Sequence, residues 1–242
     1  MKIKNFLDAT YLKTAKQANV SKLNDINIVK FYIQEAINEK FKLIMIRPKH
    51  VFLAYNMIFE AKSKLLVGTA IDFPKGKGGQ ELKLKQARKA ILDGADDLDF
   101  VCNYNAFKKK KIELVKQEIL ECTKLGLQNN KTVKWIIEVA ALNNKQIIQL
   151  SALIKNVVIA NFKEDDYSSV FVKSSTGFFK TKDNLPNGAT IESIILMLEN
   201  ASPLPIKASG GIKTFDQAKE FIDLGVKRIG TSNAKFISDL DF

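Results

Sequence analysis

Val170-Phe-Val-Lys-Ser-Ser-Thr-Gly-Phe178 runs from a short apolar segment through a lysine into small hydroxyl residues and a glycine. The same order recurs at Pro205-Ile-Lys-Ala-Ser-Gly-Gly-Ile212. A near-continuous apolar run of this length reads as a strand buried on both faces, the kind found in parallel sheets covered by helices. A lysine at the end of such a strand is costly to keep charged. Burial lowers its pKa and a second ammonium nearby lowers it further. A neutral, nucleophilic amine results. The Gly and Ser residues beyond each lysine offer free backbone N–H groups suited to an anion such as phosphate. Lys173 and Lys207 together point to Schiff-base chemistry on a phosphorylated carbonyl compound.

Working outward, similar strand-like runs occupy residues 6–10, 41–47, 65–71, 97–102, 133–139, 169–175, 206–209 and 228–232. Helical periods fill the gaps. Leu84, Ala87 and Ile91 fall on one face of residues 81–94, and Gly94 supplies a stop signal. Thr214 and Gln217 form a capping-box pair ahead of Ala218, Phe221 and Ile222. Residues 143–153 carry a further apolar helical stripe. Strand and helix alternating about eight times is the pattern of a (β/α)8 barrel, the TIM barrel of the α/β class. A doubly wound open sheet is the alternative, weakened because no GxGxxG follows an early strand. The 242 residues, 46% of them hydrophobic, fit one barrel, and no Pro/Gly/Ser-rich linker divides them. We therefore expect a single domain over residues 1–242.

Composition narrows the function classes. No apolar run reaches the ~20 residues that span a bilayer. The N-terminus lacks a signal-peptide core, and Cys102 and Cys122 form no CxxC pattern. A cytoplasmic protein with two core thiols and no membrane partner is the expectation. The one histidine, His50, argues against a histidine-based zinc site and itself reads as structural, and no motif in the chain calls for a cofactor. The net charge of +12 raises nucleic-acid binding. The basic residues are scattered over helix faces, however, and the cluster Lys108-Lys-Lys-Lys111 reads as a solvated loop without interleaved aromatics. No nucleic-acid partner is expected.

In a barrel the chemistry belongs at the C-terminal strand ends. Asp8, Asp99, Glu138, Lys173 and Lys207 each put a charge into an apolar strand, so inward-facing copies would converge in one cavity. A carboxylate between two lysines can keep one as ammonium and leave the other free to lose its proton. Thr176-Gly177, Ser209-Gly-Gly-Ile212 and Gly230-Thr-Ser232 follow the last three strands as small polar loops. Barrels commonly hold phosphate at the loops after strands seven and eight.

These segments, with Leu7-Asp-Ala-Thr-Tyr-Leu-Lys13, Asp72-Phe-Pro-Lys-Gly76, Gly94-Ala-Asp-Asp-Leu-Asp-Phe-Val101 and Val133-Lys-Trp-Ile-Ile-Glu138, resemble the deoxyribose-phosphate aldolase family over nearly the whole chain. The resemblance implies a metal-free class I aldolase on a (β/α)8 barrel. Such an enzyme reversibly cleaves 2-deoxy-D-ribose 5-phosphate to D-glyceraldehyde 3-phosphate and acetaldehyde. It implies Lys173 as the Schiff-base lysine, Lys207 as the lysine that depresses its pKa, Asp99 as the partner acid/base and Asp8 as support. Gly177, Gly210, Gly211, Gly230 and Ser232 would line the phosphate site, and a homodimer would be usual. Ala9, Arg47, Asp72, Ser174 and the 103–107 segment depart from the family pattern, with Arg47 and Asp72 expected near the mouth. Another class I barrel aldolase acting on a ketose phosphate and a non-catalytic phosphate-ligand binder are the alternatives.

Overall fold

The computed structural model describes residues 2–182 and 185–240, so the outer limits of the expected 1–242 domain lie outside the described residues. Eight parallel strands close into a barrel in sequence order: β1 (Leu7–Tyr11), β2 (Leu43–Ile46), β3 (Leu66–Ile71), β4 (Asp97–Val101), β5 (Thr132–Ile136), β6 (Val170–Lys173), β7 (Ile206–Ser209) and β8 (Arg228–Thr231). All eight expected strands form, most of them shorter than their apolar runs. The surplus residues become the turns that carry the strand ends out to the helices.

Helices follow every strand. Their caps are legible in the sequence: the Thr214 hydroxyl accepts from the Gln217 backbone N–H and opens the helix Phe215–Asp223, which buries Ala218, Phe221 and Ile222. Asn143 and Gln146 make the same box ahead of Asn144–Asn161. Each such cap satisfies backbone donors that the first helical turn cannot. Trp135 on β5 stacks on Phe100 of β4 at 5.1 Å between centroids, and its indole N–H donates to Thr123 Oγ1 on the helix Ile112–Gln128. The bulkiest core residue is thus pinned at both its face and its edge.

The barrel interior is divided. Beside β2 and β3 it is apolar, filled by Leu12, Leu43, Met45 and Ala70 with Phe73 and Phe178 above them. Gly68 makes the room, because a Cβ there would lie 2.6 Å from Met45 Cε and 2.9 Å from Leu43 Cδ2. The opposite half is charged, and there the register sets the site. Asp99 pairs laterally with Lys134, Lys173 with Lys207, and Lys207 with Arg228. Residues side by side in register share a face of the sheet, so these charges point inward together.

One buried charge cluster lies outside the barrel. The helix Gly79–Leu92 buries Lys83, Ala87 and Ala90, while Leu84 and Ile91, expected at its centre, flank that stripe half-buried. Lys83 Nζ sits 2.9 Å from Asp72 Oδ2, Glu118 Oε2 and the Gly76 carbonyl. Burial works against its charge, and the two carboxylates outweigh burial and raise its pKa. The lysine thereby ties the loop after β3 to two helices.

Lys83→Met should therefore cost about 3–5 kcal/mol, because two buried carboxylates lose their counter-ion. Urea unfolding should show the midpoint fall with the slope preserved. A loss below about 1 kcal/mol would mean that Asp72 and Glu118 are not held by this ion.

Candidate active site

Four cations and three carboxylates meet inside the barrel. Asp99 Oδ2 lies 2.8 Å from Lys173 Nζ and 2.9 Å from Lys207 Nζ, and Asp99 Oδ1 lies 3.1 Å from Lys134 Nζ. Lys207 also pairs with Asp8, whose other oxygen takes the Arg228 guanidinium, with Nε at 2.8 Å. Asp97 accepts from Lys134 and lies 3.4 Å from Arg228 Nη2. Asp8, Asp99, Lys134 and Lys207 have no exposed surface, and Lys173 keeps 4%.

With every group ionised this interior would carry one positive charge in excess, and the pKa directions place the deficit of protons on one amine. Burial first, then the Lys207 and Lys134 ammoniums, push Lys173 down to about 8 against the pull of Asp99. Lys207 goes the other way: burial lowers it, but Asp8 and Asp99 outweigh burial and raise it. Burial alone would raise the Asp99 carboxyl, yet Lys134, Lys173 and Lys207 hold it well below its ordinary range. Asp99 is therefore a carboxylate, Lys207 an ammonium, and Lys173 the amine able to lose its proton near neutrality.

Arg228 keeps 7% exposure, but of these charged groups it is Lys173 that faces the mouth of the barrel. It lines a cavity of about 480 Å³ at the C-terminal end of the strands, walled by residues 176–178, 209–213 and 230–233, with residues 10–13 and Tyr32 on the far side. Gly177, Gly210, Gly211, Gly230 and Ser232 all line it, whereas Asp8, Asp99 and Lys207 lie beneath its floor. Gly177, Gly210 and Gly211 have φ of +75°, +89° and +78°, a region that favours glycine. A Cβ on Gly210 would come within 2.7 Å of Gly188 Cα, and one on Gly230 within 3.1 Å of Lys207 Cε. Ser174 locks two of the loops, its hydroxyl donating to the Ser209 carbonyl and accepting from the Ser209 N–H, both at 2.9 Å. Exposed Lys13 and Lys213 stand at the rim, a cationic contribution that the sequence reading missed. An amine able to lose its proton near neutrality thus faces a glycine-lined, positively rimmed cradle suited to an anion.

Other expectations need correction. Glu138 does not end β5. It sits two residues beyond, at φ +59°, and its carboxylate accepts from the Thr176 hydroxyl and backbone N–H. Burial raises its pKa against the Thr176 and Ser175 hydrogen bonds and the Lys173 charge, and it makes no ion pair with the Asp99 network. Asp72 and Arg47, expected near the mouth, do not themselves line the cavity, although Arg47 holds Leu12 of its wall. Asp72 binds Lys83 and the Gly78 N–H, and Arg47 donates to the Leu12 carbonyl and lies over the Phe73 ring. Lys134, Arg228 and Asp97 received no role in the sequence reading. The spacing of Asp97 and Asp99, two apart on one strand, was the signal for Asp97.

His50 is buried beside Asp25, which also pairs with Lys49. Burial pushes the Cys102 and Cys122 thiols up to about 12, so neither is poised as a nucleophile. Among the described residues no group of three or more His, Cys, Asp or Glu could hold a metal ion. No helix among them is long and apolar enough to cross a membrane.

No family model matches the chain. Individual relatives do. The deoxyribose-phosphate aldolase of Thermococcus gammatolerans is 36% identical over 235 residues, covering 96% of this chain and 93% of the relative. That of Thermococcus kodakarensis is 35% identical over 233 residues, with the same coverage. The solved structure of QR15, an aldolase, superposes with a TM-score of 0.82 at 27% identity, covering 99% of this chain and 95% of that one. Similarity at this level along almost the full length, on a barrel whose interior lysine opens into a glycine-lined cavity, means that the chain belongs to the deoxyribose-phosphate aldolase family, a family of lyases.

Proposed function

We propose that this enzyme reversibly cleaves 2-deoxy-D-ribose 5-phosphate to D-glyceraldehyde 3-phosphate and acetaldehyde through a Schiff base on Lys173. The observation that carries the reading is that Lys173 alone joins the buried ion network to the cavity, with its pKa lowered to about 8. At pH 7 about a tenth of the molecules would then hold it as the free amine. The reading includes residues 1–242 as one aldolase domain, a cytoplasmic location, a homodimer, and a role in breaking down deoxyribose phosphates.

The neutral Nζ of Lys173 attacks the C1 aldehyde of the open-chain sugar. The carbinolamine loses water to give an iminium. As the C3 hydroxyl gives up its proton, the C2–C3 bond breaks and its electron pair flows into the iminium. Glyceraldehyde 3-phosphate leaves and an enamine of acetaldehyde remains. Protonation at C2 and hydrolysis release acetaldehyde and regenerate the amine. Asp99 Oδ2, within 2.9 Å of both amines, passes protons between the Lys207 ammonium and the reacting nitrogen, and water carries them to and from substrate. Asp8 keeps Lys207 charged. The backbone at Gly177, Gly210, Gly211 and Gly230, with Ser232 and the rim lysines, holds the phosphate. Anchoring the far end of the sugar fixes C1 against Lys173.

Borohydride added with deoxyribose 5-phosphate should trap a covalent adduct on the peptide containing Lys173. Lys173→Leu should abolish the adduct and lower kcat/KM by on the order of 10⁴ or more. An adduct on another lysine, or activity retained in the variant, would refute the scheme. A panel of phosphorylated aldoses and ketoses separates this reaction from ketose-phosphate cleavage.

The pH dependence follows from the same amine. Below its pKa Lys173 is an ammonium, so kcat/KM should rise about tenfold per unit at acid pH and level off near pH 8. A rate flat between pH 5.5 and 8 would mean that another group sets the nucleophile. Gly188→Ala, whose Cβ would meet the Gly210 carbonyl oxygen at 2.2 Å, should raise KM for the phosphorylated sugar at least about tenfold while kcat falls less.

A further inference from the structure

Lys134 and Asp97 do not line the cavity, yet both are buried within the ion network. Lys134 is fully buried on β5, its Nζ shared between Asp97 Oδ2 and Asp99 Oδ1, with the Phe171 ring 5.7 Å away. Asp99 therefore has one oxygen committed to Lys134 and the other divided between Lys173 and Lys207. Asp97 in turn faces Arg228. In a closed interior an uncompensated ion is expensive, so the number of opposing charges decides which groups keep their protons.

We infer that Lys134 is a positioning residue whose ammonium, acting through Asp99 and held in place by Asp97, fixes the interior charge count so that Lys173 is the amine left unprotonated. The inference rests on the proposed nucleophile but concerns residues that never meet substrate. The charged groups facing Lys173 are Asp8 on β1, Asp97 and Asp99 on β4, Lys134 on β5, Lys207 on β7 and Arg228 on β8. Glu138 beyond β5 also feels the Lys173 charge, but its carboxyl is engaged by Thr176 and burial raises its pKa, so it is left outside the count and is unchanged in every variant below. Strands β2 and β3 present apolar residues and glycine to this space, among them Leu43, Met45, Leu66, Gly68 and Ala70. Three carboxylates against four cations leave one proton too many. Without Lys134 the count is three against three, and Asp99 is free to hold Lys173 as an ammonium. Without Asp97 the excess grows, and Lys134 draws Asp99 away from Lys173. The two substitutions must therefore act with opposite sign.

The test is the pH dependence of carbamoylation of Lys173 by cyanate, which modifies neutral amines, read by peptide mass mapping on the folded, substrate-free protein. Fully buried Lys134 and Lys207 should stay unlabelled. In Lys134→Met the labelling midpoint should rise by about one pH unit, a roughly tenfold lower rate at pH 7. In Asp97→Asn it should fall. In the double variant it should return to within about half a unit of the parent value. The acid limb of kcat/KM should move in step. If Lys134→Met does not fold, Asp97→Asn and the double variant still give the predicted fall and return. Unmoved midpoints, or shifts of the same sign in both single variants, would overturn the inference, since a purely structural role changes how much protein folds and not where Lys173 titrates. The substrate reading fails separately: a parent protein labelled with a midpoint near 8 that traps no adduct with deoxyribose 5-phosphate would refute the sugar cleavage and leave the charge count standing.

Discussion

Asp99 shares its carboxylate among three lysine amino groups, and most of the charged interior depends on that arrangement. An ionised carboxylate with no exposed surface survives only where its partners return what desolvation removes. Here the partners are lysines, themselves too buried to remain charged alone. Each ion is therefore the condition for the others. The network is a poor way to stabilise a barrel, since well-packed apolar residues of similar volume commonly do as well or better. Its chemical product is one amine that the carboxylates cannot fully neutralise, placed where the barrel opens.

The apolar half of the interior makes this possible. Leu43, Met45, Ala70 and Phe73 beside β2 and β3 add no charge and admit little water. They keep the local dielectric low, so interactions across the network stay strong. Above them the strand ends turn sharply. Glu138 and the glycines at 177, 210 and 211 take positive φ, and Ser174 ties the β6 loop to the β7 loop. Two rigid layers result: an ion network that fixes protonation and a glycine-rich rim that faces anions. Lys173 is where they meet.

The sequence carried the strands, the barrel, the two lysine motifs and the glycine rim, because each is a local pattern: an apolar run, a lysine at its end, small residues beyond. What it carried less well depends on register. Lys134 lies in Val133-Lys-Trp-Ile136, where one polar residue among apolar ones reads equally as pointing to solvent or to the barrel axis. Only its lateral pairing with Asp99 decides between them. Arg228 opens β8 and reads as a strand-edge charge until Asp8 and Asp97 are brought opposite it. Lys83 defeats helical periodicity outright, because its tip is compensated by Asp72 and Glu118, 11 and 35 residues away in the chain. Glu138 reads as part of the strand because the apolar run continues through Ile137, and no local pattern marks the backbone turn to positive φ.

The same layering explains why the departures from the family pattern leave the proposed chemistry intact. Ala9 alternates with Asp8 on β1, so it faces the helix layer, buried in the outer core. Ser174 supplies the hydroxyl that clamps Ser209. Asp72 is engaged outside the barrel by Lys83, and Arg47 is held against Phe73 and the Leu12 carbonyl. None of these side chains belongs to the network around Asp99 or lines the glycine rim. Each could change how firmly a loop is held, which bears on affinity, while the protonation of Lys173 is decided deeper in the barrel by groups they do not touch.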